Sequence, residues 1–437
     1  MPPSLLAALH DTPTSPLWVG LSGGLDSSAL LHLLVNHPPT RPAGLRALHV
    51  HHGLHADADA WAVHCARLCD GLGIELVVVR VTVARNAGHG LEAAARAARH
   101  AAYAATLADG DVLALGHHRD DQTETFLLRA LRSSGTSGLG AMRRWRALGA
   151  TRLWRPLLDT PRAELLAYAQ RHGLTWIEDP SNADPVFDRN FLRQRVLPLL
   201  RERWPHADAA FARSAGLLAD ADALLDAGDV EALAQVTTDD PGCVSVTALQ
   251  RLPASRRARV LRRWIAGLHL TPLPGNGLQC IENDLLPARA DAQARFVWQG
   301  AAVVRWRDVL HAGAQRAGLP LDWRMQWNGS GDATLPDGGT LRLVGADALP
   351  WPCVLHARVG SQRITLPGRI HSHLLKHVLQ ATSVPPWQRA NLPMLSTPAG
   401  ELLAAGDLIY SARFDTWLRE QGAWLDWTFP GGRQKPQ

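Results

Sequence analysis

Apolar residues in the first third of the chain fall into two alternating rhythms: short continuous runs, and longer stretches where they recur every three or four positions. The short runs predict strands at 17–21, 45–50, 74–81 and 112–115, each bounded by turn-forming residues. The longer rhythm predicts helices starting at Asp26, spanning 57–72 and 91–109, and starting again at Asp121. Alternation of this kind implies an α/β domain with a doubly wound, mainly parallel sheet wrapped by helices. Ligands of such sheets sit outside the carboxyl ends of the strands, so the segments after 21, 50 and 115 share one edge.

Further along, a helix is expected at 160–172, with Thr160 as its cap and Pro161 in its first position, and another at 190–203. Beyond Pro205 the chain turns rich in alanine and leucine, which reads as helical. Between 318 and 350 many Gly, Asp and Pro residues separate short strand-like runs. The expected organisation is a catalytic domain over 1–205, a helical middle domain over 206–317, a linker over 318–353 and a small α+β domain over 354–437. No internal repeat is visible.

Composition narrows the class. The 437 residues carry 45 Lys+Arg against 40 Asp+Glu, a formal charge of +5, which mildly favours polyanionic partners. Lys376 and Lys435 are the only lysines, so the arginines are judged by placement. Cys65, Cys69, Cys243, Cys280 and Cys353 form no C-x-x-C pair, which excludes a disulfide framework or zinc knuckle and fits a reducing cytoplasm. There is no run of about 18 apolar residues and no basic leader before an apolar core, so neither a membrane span nor a secretory signal is expected.

The strand Leu17-Trp18-Val19-Gly20-Leu21 breaks into Ser22-Gly23-Gly24-Leu25-Asp26-Ser27-Ser28 and a helical pattern follows at once. Adjacent glycines permit close backbone approach, and the N–H groups of the turn and helix start can converge on one anion. Neither G-x-x-x-x-G-K-[ST] nor G-x-G-x-x-G is present, so a kinase-like ATPase and a dinucleotide enzyme both lose ground. The turn resembles the pyrophosphate-binding loop of the N-type ATP pyrophosphatases, which split ATP into AMP and pyrophosphate while adenylating a carbonyl oxygen. The resemblance implies an ATP site made by Ser22, Gly23, Gly24, Leu25, Asp26 and Ser27, with Asp26 holding Mg²⁺.

Gly116-His117-His118-Arg119-Asp120-Asp121-Gln122-Thr123-Glu124-Thr125 leaves a strand through a glycine and enters a helix. Asp121 and Glu124 are three apart and Asp120 and Glu124 four apart, so carboxylates share a face suited to metal binding or proton removal. In His49-Val50-His51-His52-Gly53-Leu54-His55 an extended chain splits the rings between two faces, which argues against zinc. On the pyrophosphatase resemblance this segment, His51 included, lines the nucleotide pocket with Gly116, and Asp120 is a second candidate for Mg²⁺. Arg129, Arg132, Arg143, Arg144, Arg146, Arg152 and Arg155 run without an intervening acid, with Trp145 and Trp154 between them. Arginines on phosphates and tryptophans under unpaired bases suit a folded RNA. Arg189 and Arg193 share a helical face and could hold RNA, hold ATP phosphates or pair with Glu178 or Asp179. A further run, Arg251 to Arg263, reads as a basic helix.

Taken together, 22–27, 49–54, 92–99, 117–125, 132–142, 155–158 and 178–198 resemble the tRNA(Ile)-lysidine synthetases, a branch of that superfamily. Leu374-Leu375-Lys376-His377 and Val384-Pro385-Pro386-Trp387-Gln388-Arg389 resemble the small C-terminal domain of their long bacterial forms. Two departures stand out: Arg132-Ser133-Ser134-Gly135 has serine where the family shows glycine, and His371-Ser372-His373 replaces part of a basic cluster. The resemblance implies a cytoplasmic ligase that uses ATP and Mg²⁺ to attach free lysine to carbon 2 of the wobble cytidine of tRNA(Ile) with a CAU anticodon. It implies Asp26, Asp121 and Glu124 as catalytic residues, and Arg132, Arg143, Arg144, Arg189, Arg193 and Arg389 as RNA contacts; a homodimer is left open. A pyrophosphatase that transfers sulfur to tRNA, or a non-catalytic tRNA-binding protein, are the alternatives.

Overall fold

The computed structural model describes residues 2–40, 44–83, 91–180, 184–289, 294–315 and 317–428, with backbone only at 91–93. The chain divides into two compact units, Met1–Asp226 and Ala227–Gln437.

The first unit is built on a six-stranded sheet of β1 (Leu17–Gly20), β2 (Leu45–His51), β3 (Glu75–Arg80), β4 (Val112–Ala114), β5 (Trp145–Leu148) and β6 (Thr151–Trp154), in the order β3-β2-β1-β4-β6-β5. All neighbours are parallel except the β5–β6 hairpin at the edge. The helices are α1 (Pro3–Ala8), α2 (Leu25–Val35), α3 (Ala58–Leu72), α4 (Leu91–Thr106), α5 (Arg119–Leu131), α6 (Thr136–Leu139), α7 (Arg162–Arg171), α8 (Asp188–Phe191), α9 (Leu197–Arg203) and α10 (Ala207–Val236). Strand alternation sorts side chains to two cores. Leu17, Val19 and Ala47 join α2, Cys65, Cys69 and Tyr168 on one face, while Trp18, Leu48 and Val50 join Tyr103 and Leu107 on the other. Each leucine closed off in these layers contributes roughly 1.5–3 kcal/mol of burial.

The expected continuous helix over 190–203 is interrupted: a π-helical turn, Leu192–Val196, separates α8 from α9. Pro198, lacking an N–H and crowding the carbonyl four residues before it, accounts for the break. The hairpin β5–β6 was hidden in the basic stretch, where charge masked the alternation.

In the second unit the segment expected to be helical also carries a sheet: β7 (Cys243–Ser245), β8 (Arg295–Trp298), β9 (Ala301–Trp306) and β10 (Val309–Ala314), ordered β7-β10-β9-β8. It packs with α11 (Val246–Arg251), α12 (Ala254–Gly267) and α13 (Gly275–Cys280) around Val260, Leu261, Trp264 and Ile281. The segment 318–353, expected as a linker, instead contributes β11 (Arg324–Gln326), β12 (Ala333–Thr334) and β13 (Thr340–Val344) to the C-terminal core. Its Leu319, Trp327, Leu341 and Leu343 are buried there, and its Gly, Asp and Pro residues are the turns of short strands. That core is completed by β14 (Val354–His356), β15 (Arg363–Ile364), β16 (His373–Leu374), α14 (Leu375–Ala381), α15 (Pro386–Arg389), β17 (Met394–Ser396), β18 (Leu402–Ala405), β19 (Ile409–Tyr410), α16 (Ala412–Gln421) and β20 (Trp424–Thr428). Among the described residues no helix is long and apolar enough to cross a membrane.

Candidate active site

In the strand order β3-β2-β1-β4 the order of addition reverses between β1 and β4, and in sheets of this kind ligands bind beyond the carboxyl ends of the strands at that point. The turn after β1 folds on itself there. Ser22 N and Ser22 Oγ lie 3.2 and 3.0 Å from Ser27 Oγ, which donates to Gly24 O at 3.1 Å. Gly23 has φ of 83°, and a Cβ on it would meet Ile177 Cδ1 at 2.5 Å. Ile177 N donates to Gly23 O at 2.9 Å, so the segment after α7 braces the turn from outside. Gly24 starts α2 without a side-chain cap, leaving the first-turn N–H groups to an anion. From β4, Gly116 seats against this turn, where a Cβ would approach the backbone C and O of Asp26 to 2.9 Å.

His118 joins the two loops. It is buried, caps α5, and its Nε2 lies 3.5 Å from Asp26 Oδ2 and 3.4 Å from Asp121 Oδ2. Burial opposes its charge, yet Asp26, Asp121 and Asp120 together raise its pKa. Its neighbour His117 goes the other way: burial, with Arg155, Arg189 and Arg99 adding, pushes it down to about 3 against the pull of Asp121. His117 accepts from Arg155 Nε at 3.2 Å. Sequence reasoning noted the histidine pair and assigned it no role; only the fold shows that one ring faces acids and the other arginines.

Asp26 Oδ1 is buried without a hydrogen bond, with Arg162 Nε 3.7 Å away. A carboxylate oxygen without a hydrogen bond at a phosphate turn fits Mg²⁺, which takes one or two carboxylates and completes its shell with phosphate and water. Among the described residues no group of three His, Cys, Asp or Glu side chains could hold a metal by itself. Asp120, the other expected ligand, has both oxygens engaged: Oδ1 accepts from Arg162 N at 3.1 Å and Oδ2 from Arg201 Nη2 at 2.8 Å. It does for α7 what Thr160 was expected to do, since Pro161 is the residue before that helix and gives no side-chain cap.

Asp121 and Glu124 are brought to the same face of α5 but into different surroundings. Asp121 accepts from His118 N at 3.1 Å, and its pKa is lowered because His118, His117 and Arg189 outweigh its burial. Its side chain keeps 15% exposure, whereas Glu124 keeps 0%. Glu124 is gripped by Arg193, at 2.7 and 3.0 Å to its two oxygens, with Arg189 Nε 2.9 Å away. Burial nonetheless raises its pKa. This geometry makes Glu124 an anchor for two arginines.

The arginines expected on RNA divide in the same way. Arg189 and Arg193 serve Glu124. Arg144 binds Asp11 at 2.9 and 2.6 Å, and Arg389 donates to Val384 O at 2.7 Å, closing the corner after α14. Arg143 reaches Asp222 at 3.1 Å. Arg132 remains at the surface, 3.5 Å from Asp188. Trp145 and Trp154, expected beneath bases, stack on each other with their Nε1 groups on Asp11, and Trp154 is fully buried. His51 is held by Asp59 at 3.1 Å and Arg80 at 3.3 Å; His49 reaches the residue before the phosphate turn, Nδ1 to Leu21 O at 2.9 Å. Glu92, which opens the 92–99 segment of the family resemblance, lies outside the described side chains. Burial pushes the thiols of Cys65 and Cys69 up to about 12 and 11, away from the reactivity sulfur transfer needs.

Residues 3–200 match the model of the PP-loop domain, 245–311 that of the TilS substrate binding domain, and 353–427 that of the TilS substrate C-terminal domain. The chain is 54% identical over 421 residues to a tRNA(Ile)-lysidine synthase of Xanthomonas axonopodis pv. citri, covering 96% of this chain and 95% of the relative. The chain belongs to the tRNA(Ile)-lysidine synthase family. Other members include one from Xylella fastidiosa strain Temecula1, 48% identical over 95% of this chain and 96% of its own, and one from Alkalilimnicola ehrlichii, 41% identical over 92% of each. As in the family, an ATP-using PP-loop domain precedes the two substrate domains.

Proposed function

We propose that this enzyme adenylates carbon 2 of the wobble cytidine of tRNA(Ile) with a CAU anticodon, through its carbonyl oxygen, and then replaces AMP with lysine, so that the tRNA reads AUA. The observation that carries the reading is the Oδ1 of Asp26, buried without a hydrogen bond at the first turn of α2 and beyond the carboxyl end of β1. The carbonyl oxygen attacks the α-phosphate without needing a base, because it bears no proton. Ser22, Ser27 and the N–H groups at the start of α2 hold the phosphates in line, and His118, its pKa raised by the surrounding acids, fixes the position of Asp26 from the other loop. Asp26 would hold Mg²⁺, which would supply screening of the charge on the pyrophosphate leaving group.

In the second step the lysine ammonium must be held and must lose a proton. Of the two acids expected there, Asp121 is the one with exposed surface, so it is the one an ammonium reaches. Asp121 holds the ammonium and takes one proton from it, which frees the nitrogen lone pair to attack carbon 2 as the bond to AMP breaks. The target base must be unpaired and flipped, which a loop permits at small cost.

The test is incorporation of radiolabelled lysine into a tRNA(Ile) transcript with ATP and Mg²⁺, comparing wild type with Asp26→Ala. Label in the wild type that disappears in the variant, while tRNA still binds, is the expected result. Folded wild-type protein that binds ATP and incorporates no lysine would overturn the reading.

A further inference from the structure

Beside the acid cluster, α8 shows water a face that a soluble protein ordinarily covers. Phe187 and Phe191 are 46% and 50% exposed, with Val186 next to them and Leu131, at the end of the neighbouring α5, exposed as well. The face is not left open by loose packing. Arg189 and Arg193, on the opposite side of the same turn, are locked onto Glu124, Asn190 donates to Asp184 O at 2.8 Å, and Leu192 is buried. Every inward position is used, so the two rings are held outward, four residues and about 6 Å apart along the helix. Arg193 also lies 3.5 Å from Asp121, so this turn reaches from the acids to the rings.

Exposed cations accompany this segment: Arg132, with 70% of its side chain exposed and a long 3.5 Å pairing to Asp188 beside Phe187, and Arg195, four residues after Phe191. Rings flanked by arginines match unpaired bases on a phosphate backbone better than an apolar partner, which would bury those charges at a cost. Trp145 and Trp154, the aromatics the sequence offered for that work, are turned inward onto Asp11.

We propose that Phe187 and Phe191 are a stacking platform for the unpaired bases that flank the reacting base, with Arg132 and Arg195 on the adjoining phosphates. The proposal rests on the lysidine-synthesis reading in naming the RNA loop as the occupant. The experiment uses the full chain. Initial rates of lysine incorporation against tRNA concentration are compared for wild type, Phe187→Ala, Phe191→Ala, Phe191→Leu and Phe191→Trp, with thermal melts as a check on folding. A stacked base is worth about 1–3 kcal/mol, so each alanine should raise KM for tRNA by about 5- to 150-fold with kcat within about twofold. Tryptophan should restore KM, and leucine, apolar but without a ring, should behave as alanine. In parallel, 2-aminopurine placed in the anticodon loop should be quenched by wild type and not by Phe187→Ala/Phe191→Ala.

Unchanged KM and unchanged quenching in the double variant would overturn the platform while leaving lysidine synthesis standing. Leucine as good as phenylalanine would do the same. So would a double variant that turns a wild-type dimer into monomers in sedimentation with KM unchanged, since a second copy would then be the occupant. If wild type incorporates no lysine, the functional reading falls, and the quenching alone still decides the platform.

Discussion

Asp11 and Glu124 are two acids of one domain, each held by arginine, and they respond in opposite ways. Asp11, at the end of the α1 segment, accepts from Arg144, Trp145 and Trp154, fastening the β5–β6 hairpin to the N-terminal segment. Its side chain keeps 24% exposure; desolvation is the largest single influence and pushes its pKa up, but Arg144 and Trp145 together outweigh it and bring the pKa down to about 2. Glu124 has two guanidinium partners and no exposure, and burial wins: its pKa is raised. The number of partners does not set the sign. What decides is whether the lost hydration is larger than the charge–charge gain.

The largest effect should come from breaking the Glu124 clamp on the arginine side. Arg193→Ala leaves a fully buried carboxylate with Arg189 alone, which should cost about 3–5 kcal/mol in urea denaturation. Glu124→Gln should cost less, because Arg189 and Arg193 are about a third exposed and can be hydrated. The double variant should regain part of the loss. An Arg193→Ala cost below that of Glu124→Gln would show that the carboxylate is better hydrated than its burial indicates.

Next in size is Asp11→Asn, at about 2 kcal/mol at neutral pH, the equivalent of lowering a carboxyl from 3.8 to about 2. A depressed acid contributes stability that is fully present above its unfolded value and lost as pH falls through its folded one. The wild type should therefore lose this increment between about pH 4 and pH 2, and the variant should not. Glu124, with a raised value, tilts the opposite way: its contribution is present below the ordinary glutamate value of 4.5 and is lost as pH rises through its folded pKa. Denaturation of both variants across that range tests the contrast; parallel pH profiles would refute it.

The two acids also explain what could be read from the sequence. Strand runs and helical periods gave the order of elements in the first domain, because burial on both faces of a parallel sheet leaves a strong apolar signal. The phosphate turn was legible because its glycines and serines are consecutive. The arginines were not: Arg132, Arg144 and Arg193 look alike in sequence, and whether each meets RNA, Asp11 or Glu124 depends on contacts 56 to 133 residues apart. The 318–353 segment was misread for a related reason, since strands of two to five residues between turns carry too few alternations to stand out.

The smallest effect isolates backbone from charge on the helix that carries Glu124. Ser133, where the family shows glycine, has φ of 54° just past the end of α5, with Ser134 N bonded back to Arg129 O at 3.1 Å. That left-handed position after a helix is the one glycine fills without strain. Ser133→Gly removes a Cβ that strains the turn but adds freedom to the unfolded chain, so the net gain should be about 1 kcal/mol or less. Because no ionisable group changes, the gain should be the same at pH 3 and pH 7, unlike either acid variant. A gain that varied with pH would mean that the end of α5 is coupled to the clamp through Arg132 and Asp188, and that the exposed ion pair there is stronger than its 3.5 Å separation and exposure suggest.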